Sequence, residues 1–118
     1  MTWTMIWNSV HGLLSGLEDA GRWKVTVDGV KAGPVTAVRM RAEGLRFALE
    51  ADGRAVTLEA LPGAADHAVV KVNGQHDADA RLVFSLRHTL TKPIIVVFEF
   101  KNVTIGGASK RFRFDNPK

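Results

Sequence analysis

The sequence predicts a mainly β protein, an antiparallel β-sandwich or small barrel of about seven to eight strands with one N-terminal amphipathic α-helix. Three observations lead there. Five turn dipeptides punctuate the chain: Asp28-Gly29, Glu43-Gly44, Asp52-Gly53, Asn73-Gly74 and Gly106-Gly107. Asp-Gly and Asn-Gly tolerate the positive φ angles of tight hairpin turns. Between these dipeptides, apolar residues recur at every second position from Trp23 to Phe114. Only residues 3–19 carry the spacing of a helix instead.

In that N-terminal zone Trp3, Trp7, Val10, Leu14 and Leu17 line one helical face, and Ile6 and Leu13 widen it. Gly21 stands where a C-cap glycine belongs. Gly12 and Gly16 each cost roughly 1 kcal/mol relative to Ala. Glu18 and Asp19 place negative charge at the negative end of the helix dipole. Such a helix needs its apolar face buried, on the sheet or on a neighbouring subunit.

The strands follow in order. Trp23, Val25 and Val27 alternate with Lys24 and Thr26, and Pro34 restarts the chain ahead of Val38 and Met40. Leu45, Phe47 and Leu49 oppose Val56 and Leu58 across Asp52-Gly53. Val70 and Val72 lead through Asn73-Gly74 and a polar stretch to Leu82, Phe84 and Leu86, which reads as a hairpin with a long loop. Residues 94–98, Ile-Ile-Val-Val-Phe, are continuously apolar and predict a strand buried on both faces at the centre of the fold. Phe98 and Phe100 are even-numbered, whereas Val103 and Ile105 are odd. That switch predicts a β-bulge or bend at Lys101-Asn102. Phe112 and Phe114 close the series.

The expected core comprises the apolar residues named above from Trp23 onward, with Ile94 and Val96 and without Val103 and Ile105. Burying one such side chain is worth roughly 1.5–3 kcal/mol. The chain has 118 residues, which suits a single domain over 1–118 with the hairpin scaffold at 22–115. Its 46% hydrophobic and 24% charged content argues against wholesale disorder. There is no cysteine, so disulfides and thiolate metal sites are excluded. No run of about 18 apolar residues is present, and the first Lys or Arg is Arg22, so neither a spanning helix nor a secretory signal is expected. The reading is a soluble protein of the cytoplasm or of a virion.

The net charge is +4 and the pI about 9.9. Outward strand positions carry most of the cations, with Arg39, Arg41, Arg46, Arg111 and Arg113 as the candidate basic surface. The acids gather at turns, where Asp favours the backbone geometry. Single-strand nucleic-acid binders add exposed stacking rings, but the chain has no tyrosine and its phenylalanines fall in the inward phase. His76-Asp77-Ala78-Asp79 holds metal-ligand residue types without an EF-hand or zinc spacing, so it is read as a solvated loop. The serines lack a nucleophile-elbow context, and no pair of carboxylates falls inward.

These observations lead to the expectation of a noncatalytic protein-binding or assembly subunit, such as a phage or viral structural or accessory component. Its contact surfaces would be the helix face of Trp3, Trp7, Val10 and Leu14 and an exposed strand edge. No catalytic residue, metal, cofactor or membrane partner is expected. The alternatives are a nucleic-acid-binding β-domain using the basic face, and a small inhibitor or adaptor docking on one host protein.

Overall fold

A computed structural model describes residues 16–41, 44–63, 68–89 and 92–116. Ten strands run through them: β1 (Lys24–Val27), β2 (Val30–Ala32), β3 (Val35–Arg41), β4 (Gly44–Ala51), β5 (Arg54–Pro62), β6 (Ala68–Val72), β7 (Gln75–His76), β8 (Arg81–Thr89), β9 (Lys92–Ile105) and β10 (Ala108–Asn116). They form two antiparallel sheets of five. One has the order β2-β1-β10-β9-β8, the other β3-β4-β5-β6-β7.

Four of the turn dipeptides close two-residue hairpins. Both central residues take positive φ in each: 50° and 82° at Asp28-Gly29, 52° and 72° at Asp52-Gly53, 49° and 82° at Asn73-Gly74, 60° and 77° at Gly106-Gly107. This is the type I′ pattern, whose twist matches that of the strands it joins. Gly44 differs. It is the first residue of β4, opposite Arg41, and an added Cβ would lie 2.8 Å from Leu61 Cδ2. Close approach of β5 accounts for glycine there, and Glu43 lies outside the described residues.

No described strand pairs between the two sheets, which separates the fold from a closed barrel, and their inner faces share one core. Phe47 of β4 is its hub: it stacks on Phe114 of β10 with ring centroids 4.0 Å apart and meets Trp23 edge-on at 4.9 Å. Most expected core residues are buried. Val27, Leu82 and Phe84 are only half-buried, Leu86 is 39% exposed, and the side chain of Ile94 is outside the description. Leu17, Val35, Ala60, Ala80 and Val103 join the core beyond those expected.

Val103 enters through the bulge. Lys110 pairs with Val103 but Phe112 pairs with Phe100, so β9 carries one extra residue there, and Asn102 takes φ 60°. Both Val103 and Phe100 are therefore fully buried. Val96, Val97 and Phe98 are likewise buried, on both faces of β9. The centre of that sheet is nevertheless β10, because β8 forms its margin.

Two sequence expectations fail at chain crossings. Residues 70–72 and 82–86 are not a hairpin: β6 pairs with β5 and β7, and β8 pairs with β9 in the other sheet. The polar stretch is thus a crossover. The helix expected over 3–19 falls largely on residues 1–15, outside the described residues. Its last part is corrected: Leu17 and Glu18 form a turn after Gly16 at φ 79°, and Asp19 caps a short 3-10 turn at Ala20–Arg22. Tertiary bonds hold this segment. Trp23 Nε1 donates to the Leu17 carbonyl at 2.6 Å, and Met40 N donates to Glu18 Oε1 at 2.9 Å.

Candidate interaction surfaces

Two sheets expose four margins, and edge strands offer unpaired N–H and C=O groups to other chains. Three margins are blunted. β2 has three residues and β7 two. β3 carries a register irregularity between Val35 and Ala37, and Glu18 occupies its Met40 amide. The fourth margin, β8, has nine residues and pairs with β9 alone among the described strands. It also carries Val83 and Leu86, two of the three large apolar residues the described chain exposes, at 39% each. Its extra residue opposite Arg87–Thr89 lies on β9, so β8 itself runs without a bulge.

The structure divides the basic residues between two outer faces. Arg39, Arg41 and Arg46 share the outer face of the β3–β7 sheet. Register places one row across all five strands: Arg39, Arg46, Glu59, Lys71 and His76. Arg39 and Arg46 are direct cross-strand neighbours, a like-charge arrangement that costs stability. Neither they nor Arg41 form an ion pair with a described residue. A shallow cleft of about 150 Å³ lies among these arginines, Gly44, Glu59 and Leu61.

Arg111 and Arg113 belong to β10, on the other sheet, and each has an acid. Arg113 Nε donates to Asp115 Oδ1 at 2.9 Å, and Arg111 Nε lies 3.8 Å from Glu99. The Asp115 hydrogen bond, aided by the charges of Asp115 and Glu99 and opposed by partial burial, holds the Arg113 guanidinium above its ordinary pKa. These two arginines therefore do not extend the trio into one patch.

The His76–Asp79 segment does backbone work. Asp77 Oδ1 accepts from Asp79 N and Ala80 N, and Oδ2 accepts from Thr104 N at 2.9 Å. One carboxylate thus fastens the crossover to the end of β9. Among the described residues no group of three or more His, Asp or Glu side chains could hold a metal ion.

Trp3, Trp7, Val10 and Leu14 lie outside the described residues. Sequence reasoning passed over Val83, although an apolar residue in the outward phase of β8 was the available signal. No described helix is long and apolar enough to cross a membrane. No protein-family model matches the chain, and comparison with curated proteins and with solved structures returns no significant match.

Proposed function

We propose that this chain is a noncatalytic protein-binding or assembly subunit that engages its partner by strand addition at β8. The observation that carries the reading is the contrast among the four margins. Three are short or obstructed, and one is nine residues long with exposed Val83 and Leu86. Main-chain hydrogen bonds from an added strand supply affinity, and alternate side chains supply selectivity. The test is capture from the native host by wild type and by a Val83→Lys/Leu86→Lys double variant, read by mass spectrometry. The expected result is a partner held by wild type and lost by the variant. Equal capture by both sinks the reading.

A second reading, a nucleic-acid contact at the outer face of the β3–β7 sheet, draws on the Arg39–Arg46 pair, since anionic phosphates would relieve that repulsion. Duplex or single-strand binding that weakens steeply between about 50 and 200 mM salt supports it. No binding at low salt removes it.

A further inference from the structure

We propose that the occupant of β8 is a second copy of the same chain, paired antiparallel about a two-fold axis at Ser85. The inference rests on the reading of β8 as the binding edge and goes further by naming the partner and its register. A two-fold axis normal to the sheet keeps both inner faces on one side, so inward residues must oppose inward residues. Even positions then pair with even, and odd with odd. Centring on Phe84 would set Arg81 against Arg87 of the second copy, twice. Centring on Ser85 avoids this and matches all nine positions of Arg81–Thr89.

In that register Val83 faces Arg87 of the second copy, and Leu86 faces its Phe84. Both exposed apolar residues of β8 are thereby covered. Leu86 and Phe84 continue the inner layer across the junction, where Phe84 already leans on Phe98 at 5.2 Å. The aliphatic stem of Arg87 lies over Val83 while its charge stays in water. Two five-stranded sheets become one continuous sheet. No cation opposes its own copy. The arrangement is self-complementary, which an isologous contact requires.

The register makes opposite demands on two substitutions at one site. Val83→Glu places a carboxylate against Arg87 of the second copy, and Val83→Lys places a cation there. Each dimer contains this pair twice. Sedimentation equilibrium is expected to show a dimer in wild type, with Kd about two- to thirtyfold tighter for V83E and weaker by a similar factor for V83K. Circular dichroism controls for folding, because Val83 also faces Glu99 within its own sheet. A wild type that stays monomeric up to about 100 µM overturns the proposal. So does a shift of both variants in the same direction.

A covalent readout tests the axis itself without relying on those charges. The chain has no cysteine, so single replacements are unambiguous. Ser85→Cys would face its own copy at about 4.5–5.5 Å between Cα atoms, within disulfide reach. Oxidation is expected to yield a crosslinked dimer of S85C and to leave Arg81→Cys monomeric. Equal crosslinking of the two, or crosslinking of neither, overturns the register. The broader reading is judged separately. If self-pairing fails but host capture still depends on Val83 and Leu86, β8 binds another protein; if capture is also indifferent to them, both readings fall.

Discussion

Asp28 bonds Arg111 twice: its backbone N–H donates to the Arg111 carbonyl at 2.9 Å, and its Oδ1 accepts from the Arg111 N–H at 2.9 Å. The first residue of the β1–β2 turn thus extends the β1–β10 ladder by one step, with a side-chain oxygen replacing a carbonyl. Asn73 repeats the device against Thr57, donating to its carbonyl at 2.8 Å and accepting from its N–H at 2.9 Å. Each turn residue serves two ends: it adopts the positive φ its hairpin needs and ties that hairpin to a third strand. Asp28→Ala loses both the acceptor and the ease of the left-handed conformation. The expected loss is about 1–3 kcal/mol in chemical denaturation, whereas Asp28→Asn, which keeps both, stays close to wild type.

Phe47 couples the two sheets through Phe114, Trp23 and Phe100. Truncation to alanine removes the ring common to all three contacts. Phe47→Ala is expected to cost about 3–5 kcal/mol. The stability of the monomer, measured by urea titration, checks it. A loss below about 1 kcal/mol would mean that the core closes over the cavity more readily than its packing suggests.

Gly44 opens β4 against the Ala60–Leu61 segment of β5. An alanine Cβ would press on Leu61 Cδ2 and stand 3.2 Å from the Ala60 carbonyl oxygen. Leu61 can swing aside in part, but the carbonyl belongs to the ladder. Gly44→Ala is expected to lower stability by about 1–3 kcal/mol, although alanine ordinarily suits a strand better than glycine. Thermal unfolding of the pair of proteins decides the sign.

Arg39→Glu converts a cross-strand repulsion into an attraction with Arg46. The expected gain is about 0.2–1 kcal/mol at low salt, shrinking as salt screens the exposed pair. Any nucleic-acid binding by that face should fall with the same substitution. Denaturation at two ionic strengths, beside a filter-binding assay, tests both outcomes.

Local order was legible because it depends on local chemistry. Asp-Gly, Asn-Gly and Gly-Gly mark four tight turns through their backbone preferences, and the odd-numbered Val103 betrays the Asn102 bulge. What alternation does not record is which sheet a strand joins. Leu82, Phe84 and Leu86 look the same in a margin strand as in a central one, so alternation alone joins β8 to β6 and places Leu86 in the core, against the pairing and exposure found. The same blindness divided the candidate basic surface. Arg46 and Arg113 are both outward, yet only pairing order reveals that they face opposite ways. The 16–23 turn depends on the Trp23 indole closing onto Leu17 and on a distant partner, Met40, neither of which a local helical period can foresee.

The order of strands also sets a timetable for synthesis. The β3–β7 sheet is a meander whose members follow one another along the chain, so each can pair as it emerges from the ribosome. The other sheet waits. Its opening hairpin can join β9 only through β10, which follows every other described strand in the chain. Until residues 108–116 are released, Phe47 has no Phe114 to stack upon and the inner layer of the meander stays partly uncovered. A nascent chain stalled before residue 108 therefore exposes apolar surface that can stick to its neighbours.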